Sequence, residues 1–231
     1  MSIPVAEARH LSTEATAGEK LRLGWRAAIS FHRRLFGLAV HDLSNPLAAA
    51  RLLAELGRRG ASGQDDVAAL LDQLGIATER LQALRILLRE GGPENFEVTT
   101  LLELAVKLVA READRAGARL LVDLGEEITV SLRRHFFLQA VLAGLLASLR
   151  DAGEGDVLIL RARCRPAAED QVDHLLVELE SSTKVRQVSP PEELLCLEML
   201  AGDLGGRFEI LPGESPTGPD WRLVMLSSHS C

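Results

Sequence analysis

His41 stands immediately before Asp42 in the run Val40-His41-Asp42-Leu43-Ser44-Asn45-Pro46-Leu47. A neutral imidazole is a nucleophile, and an adjacent carboxylate can hold one ring nitrogen while the other takes up an electrophile. On a helix, such a pair can carry a phosphoryl group. Helical spacing puts Arg34, Gly37, Ser44, Asn45, Ala48 and Arg51 around His41, with Leu38 as the main apolar neighbour. That face is small and polar, so the imidazole is expected to look into solvent. A helical histidine is more commonly a plain surface residue, and the weight here comes from the neighbours.

The element carrying His41 is long. A helical pattern runs from Glu19 to Arg59, breaks at Gly60-Ala61-Ser62-Gly63, and resumes from Gln64 to Glu90 with Val67, Leu70, Leu71, Leu74, Thr78, Leu81, Leu84 and Leu88 in register. The first helix has two apolar stripes: Phe36, Val40, Leu43, Leu47, Ala50 and Ala54, and then Phe31, Leu35, Leu38, Leu52 and Leu56. One hairpin can cover only one of them, so a homodimer that closes a four-helix bundle is expected. Pro46 lacks an N–H and crowds the carbonyl of Asp42, which predicts a bend or loosening beside the histidine. Gly91-Gly92-Pro93 ends the second helix and divides residues 1–92 from residues 93–231.

After Phe96 the periodicity becomes mixed. A helix is predicted over Thr100 to Ala116 with Thr99 or Thr100 as its N-cap, and others over Arg133 to Asp151 and Pro191 to Leu204. Strands are predicted at Arg119–Asp123, Glu127–Ser131, Val157–Arg163, His174–Glu180, Arg207–Leu211 and Trp221–Leu226. The expected class is α+β, with an antiparallel sheet covered on one face by helices after the N-terminal hairpin.

Composition narrows the function. The chain has 231 residues, 47% of them apolar, which suffices for two small cores. Its net charge of −7 argues against nucleic acid, although the first helix is locally basic through Lys20, Arg22, Arg26, Arg33, Arg34, Arg51, Arg58 and Arg59. The start lacks a signal-peptide core, and the longest apolar run, Phe136 to Leu149, is short and contains Gln139. No membrane segment is therefore expected. Cys164, Cys196 and Cys231 fit neither metal-ligand spacing nor a disulfide framework, so a reducing cytoplasm is the expected compartment.

The run at His41 resembles the phosphoacceptor box of bacterial two-component histidine kinases, in which an exposed histidine precedes Asp or Glu and a Pro-Leu follows five residues on. The order of elements after Phe96 resembles the ATP-binding domain of the same kinases, an α/β sandwich. The resemblance covers most of the chain, but it fails at the nucleotide. Gly144 and Ser148 stand where the family carries asparagines, the second of which holds the magnesium on ATP, and a short hydroxyl is a poor replacement. Where the family reads adenine with an aspartate before a glycine-rich turn, this chain has Glu180-Ser181-Ser182-Thr183-Lys184. Glu180 could take that role only by shifting the alignment. Val188-Ser189-Pro190-Pro191-Glu192 leaves little room for a phosphate-capping lid.

The resemblance thus implies a histidine phosphotransferase of a bacterial phosphorelay, with no ATP and no metal of its own. His41 would be the phosphoacceptor and Asp42 the orienting base. Response-regulator receiver domains would be the partners, supplying the Mg2+, and Ser44, Ala48 and Arg51 would meet them. Asn45 occupies the position at which relatives that dephosphorylate receivers place an amide or hydroxyl to orient water; a polar residue on an exposed face accounts for it equally well. Two other classes stay open: a non-catalytic dimeric pseudokinase that binds a kinase or regulator, and an autophosphorylating kinase with an unusual nucleotide site.

Overall fold

The computed structural model describes residues 17–60, 63–89, 91–124, 127–165, 174–181, 191–210 and 221–226. The chain divides into two compact units, residues 32–89 and the remainder.

The smaller unit is built from two helices, the first of which has its residues 17–31 assigned to the larger unit. Helix α1 (Ala17–Arg58) runs unbroken through Pro46, and α2 (Gln64–Leu88) follows after a short connection. The start of α2 is capped from within, since the Gly63 N–H donates to Asp66 Oδ2 at 2.8 Å, and Asp65 and Asp66 favour the positive end of the helix. Burial falls on one side of each helix. Phe31, Leu35, Ala39 and Ala50 are buried on α1, as are Ala77 and Ala83 on α2. Of the first predicted stripe Phe36, Val40 and Leu47 remain 55%, 43% and 45% exposed while Ala50 is buried, and of the second Phe31 and Leu35 are buried while Leu52 is 59% exposed, so each stripe is covered only in part within one chain.

After α2 the larger unit continues with β1 (Glu94–Glu97), α3 (Val98–Ala116), β2 (Arg119–Leu124), β3 (Thr129–Leu132) and α4 (Arg134–Asp151). It ends with β4 (Val157–Arg165), β5 (His174–Ser181), α5 (Pro191–Asp203), β6 (Arg207–Ile210) and β7 (Trp221–Leu226). Strands β1 and β3 form a separate antiparallel pair. The main sheet has the order β2-β4-β5-β7-β6. It is mixed rather than wholly antiparallel: β2 and β4 run parallel, because the chain between them crosses over through α4, while the other pairs are antiparallel. The N-cap of α3 is Glu97, not Thr99 or Thr100; Thr100 instead donates its hydroxyl to Glu97 Oε2 at 3.1 Å.

One face of this sheet is apolar. Leu158, Leu160, Ala162, Leu175, Val177, Leu179, Leu223 and Met225 alternate inward and are buried, in the same core as Leu101, Leu102, Ala105 and Val109 of α3. The opposite face carries a row of charges that register aligns across all five strands. Asp123 pairs with Arg161, Arg161 with Glu178, Glu178 with Arg222, and Arg222 with Glu209. Signs alternate along the row. Arg161 donates to Asp123 at 2.8 Å and to Glu180, and Arg222 donates to Glu178 at 2.7 Å. The hydrogen bond to Asp123 is the main cause that raises the Arg161 pKa above its ordinary value; desolvation opposes it, and the hydrogen bond and charge of Glu180 add to the rise. Each such exposed pair is worth roughly 0.2–1 kcal/mol. Its larger effect is on register, since a one-residue slip of any strand would turn these charges into the core.

Two glycines make the connections. Gly117 ends α3 at φ 69°, and a Cβ there would meet Glu154 Cα at 3.0 Å. The close approach lets Gly155 donate to the Gly117 carbonyl at 2.9 Å and joins the α3–β2 corner to the α4–β4 corner. Gly206 donates to the Ala201 carbonyl at 2.8 Å to close α5. A Cβ on Gly206 would stand 2.1 Å from the Val224 carbonyl oxygen, which is backbone and cannot swing away. Gly206→Ala is expected to cost about 3 kcal/mol or more, and a shift in the denaturant midpoint of unfolding measures it.

Cys196 on α5 is a buried free thiol. No helix among the described residues is long and apolar enough to cross a membrane.

Candidate functional site on helix α1

His41, Ser44, Asn45, Ala48 and Arg51 are all exposed. Their spacing places them on one side of α1, while Leu35, Ala39, Pro46 and Ala50 pack on the other. The helix is therefore anchored behind the site and open in front of it. The bare stripe of Phe36, Val40 and Leu47 runs between these two faces, alongside the histidine.

Within the site the polar groups engage their own helix. Asn45 lies one turn beyond His41, with its Nδ2 at 3.5 Å from His41 Nδ1. Ser44 donates its hydroxyl to the Val40 carbonyl at 2.7 Å. That back-bond lies across the turn where Pro46 has no N–H to give to the Asp42 carbonyl, and helicity continues through it. Arg51 donates to Glu55 Oε1 at 3.2 Å, but its side chain is 82% exposed. An exposed pair at this spacing contributes only ~0.5 kcal/mol, so the guanidinium can exchange Glu55 for an incoming acid at little cost. The carboxylate of Asp42 lies outside the described side chains.

The other described histidines have different settings, and His174 is the first residue of strand β5. His32 is exposed with no carboxylate after it. His135 packs its ring against Phe136 at 4.1 Å, and Arg133 lies over that phenyl ring at 5.6 Å.

In the larger unit, the positions matched to nucleotide chemistry are occupied structurally. Every residue of α4 from Phe137 to Ala147 is buried, Gly144 included. Ser148 is half-buried and donates its hydroxyl to the Gly144 carbonyl at 3.0 Å, back along the helix. Glu180 projects from the face of the sheet opposite Leu179 and is ion-paired with Arg161. A shifted alignment that makes Glu180 the adenine reader is thus corrected: its side chain is on the charged face, away from the helices. The stretch 182–190, where a lid would fall, lies outside the described residues. Among the described residues no group of three or more His, Cys, Asp or Glu side chains is arranged to hold a metal ion.

Sequence reasoning found the site face but missed the contact between Asn45 and His41 and the charge row. The first was signalled by the four-residue spacing; the second had no local signal, since it exists only once strand register is known.

No family model matches the chain, and no curated protein sequence does. Solved structures to which it is similar include the Acinetobacter baumannii histidine kinase AdeS, at 16% identity and a TM-score of 0.45 over 82% of this chain and 98% of that one. A bacterial phosphotransferase aligns at 17% identity and a TM-score of 0.48 over 85% of this chain and 96% of that one. A histidine kinase from Burkholderia phymatum aligns at 15% identity and a TM-score of 0.47, over 93% of this chain and 100% of that one. Similarity at this level carries no functional argument, and the reading below rests on the residues of this chain.

Proposed function

We propose that this chain is a dimeric histidine phosphotransferase of a two-component phosphorelay, which moves a phosphoryl group between receiver-domain aspartates through His41. The observation that carries the reading is the presentation of His41: an exposed imidazole on a polar face of a helix that is packed from behind, with an amide one turn away at its ring nitrogen. The flanking sequence supports it through the Asp42 and Pro46-Leu47 that follow. In the forward step one imidazole nitrogen forms a bond to phosphorus as the bond to the receiver carboxylate breaks, and the carboxylate leaves with the electron pair. Asp42 offsets the positive charge that forms on the ring. The receiver supplies the magnesium and most of the charge stabilisation on the phosphoryl oxygens.

Dimerisation belongs to this reading. On α2 the exposed residues Val67, Leu71, Leu74 and Leu81 recur at alternating four- and three-residue steps with Thr78, the spacing of a helical seam, and Leu88 continues the row one heptad on, past Arg85 in the last turn. Thr78 donates its hydroxyl to the Leu74 carbonyl at 2.8 Å, so the polar residue in the middle of the row can enter an apolar interface satisfied. A second copy of the chain would cover this seam and the Phe36, Val40 and Leu47 stripe together. The test of the function is incubation with a panel of phosphorylated receivers and scoring of alkali-stable label on this chain. If no receiver loses label to it, the chain is a non-catalytic regulator.

A working nucleotide site is not part of the proposal. The burial of α4 through Gly144 and the turning of the Ser148 hydroxyl onto its own helix support this. Titration calorimetry with magnesium and ATP is expected to give no micromolar binding. Micromolar binding, with label passing from ATP to His41, would make the chain an autophosphorylating kinase instead.

A further inference from the structure

The contact between Asn45 and His41 specifies which ring nitrogen is available, and this goes beyond a general phosphoacceptor role. A neutral imidazole carries one N–H and one lone pair on opposite sides of the ring. On a helix, residues four apart face each other. Asn45 is thus placed at the Nδ1 edge of His41, and its Nδ2 stands 3.5 Å from that atom. Asn45 is exposed, so the amide has room to turn about its terminal torsion. The two ends of a primary amide are nearly the same size, and a half-turn puts Oδ1 where Nδ2 stood.

We propose that Asn45 is a positioning residue that selects the tautomer of His41, acting as a two-position amide selector. The inference rests on the phosphotransfer reading of the site. With Nδ2 toward the ring, the amide donates to an Nδ1 lone pair and the ring proton resides on Nε2. A protonated Nε2 cannot attack, so this setting is unreactive. With Oδ1 toward the ring, the amide accepts from Nδ1–H and the lone pair is on Nε2. Nε2 then bonds to phosphorus as the phosphorus–oxygen bond of the receiver's aspartyl phosphate breaks and the electron pair leaves on the carboxylate. The Nδ1 proton stays on the ring, held by Oδ1, until it passes to water and the phosphoimidazole becomes neutral. Asp42 then contributes charge, and Asn45 contributes direction.

Two substitutions separate the settings. Asn45→Asp can only accept, so it enforces the reactive tautomer; Asn45→Ala removes the selector. The full chain, labelled with nitrogen-15 histidine, is compared with His41→Ala to assign the His41 ring, at mildly alkaline pH where imidazoles are neutral. The expected result is a shift toward the Nδ1–H tautomer in Asn45→Asp relative to both Asn45→Ala and the unaltered chain. Transfer from a phosphorylated receiver should fall up to about tenfold in Asn45→Ala, the scale of one neutral hydrogen bond. An identical tautomer population in all three proteins overturns the proposal. So does normal phosphoryl uptake in Asn45→Ala with loss only of receiver dephosphorylation, which assigns the amide to water. A tautomer shift with no transfer in the unaltered chain would uphold the selector and remove the phosphotransferase reading.

Discussion

His41→Ala is expected to abolish uptake of a phosphoryl group from a phosphorylated receiver while leaving fold and dimerisation unchanged. The loss should be complete because the nucleophile is removed and none of the other described histidines stands in an equivalent setting. His32 lacks a following carboxylate, and His135 is packed against Phe136. The fold should survive because His41 is exposed and the packed side of α1, with Leu35, Ala39 and Ala50, is untouched. Asp42→Ala should retain the nucleophile and slow transfer by ~10²- to 10⁴-fold, the usual contribution of a positioned carboxylate. Phosphohistidine is acid-labile, so label must be scored under alkaline conditions. Label on His32 or His135, or persistence of label in His41→Ala, would refute the assignment of the site.

Replacing Leu71 and Leu74 together by glutamate is expected to convert a dimer to a monomer in sedimentation without loss of helix content. Both side chains are exposed in one chain, at 64% and 42%, so the substitution leaves the packing of the isolated protomer nearly intact. In a two-fold bundle each change occurs twice, and burying a leucine is worth roughly 1.5–3 kcal/mol. Four lost leucines and four introduced charges exceed what a standard interface tolerates. The same substitution on a protein that is already monomeric would leave the sedimentation profile unaltered, and that result would sink the bundle.

The local periodicities carried most of the secondary structure. The two long helices, the helix over α4 and the strand Trp221–Leu226 were legible because apolar spacing and Gly/Pro punctuation act over a few residues. The site face was legible for the same reason: a helix converts spacing of three, four and seven directly into neighbourhood, so His41, Ser44, Asn45, Ala48 and Arg51 could be grouped from sequence alone. The pattern from Glu19 to Arg59 ran through Pro46, and α1 does pass through it, because the missing bond affects one carbonyl in a helix packed along its other side.

Tertiary structure decided what depends on partners distant in sequence. The parallel pairing of β2 with β4 follows from a crossover, not from anything within either strand. The N-cap of α3 moved to Glu97 because β1 pairs with β3 up to that residue and leaves Thr100 inside the first turn. The alternating row from Asp123 through Arg161, Glu178 and Arg222 to Glu209 assembles residues from five strands, and no single strand announces it. Orientation was the last element. Glu180 is on the charged face because a strand alternates its side chains, and the Asn45 amide meets His41 Nδ1 because helical side chains one turn apart converge. Sequence named these residues; only the pairing of strands and the direction of each side chain decided what they touch.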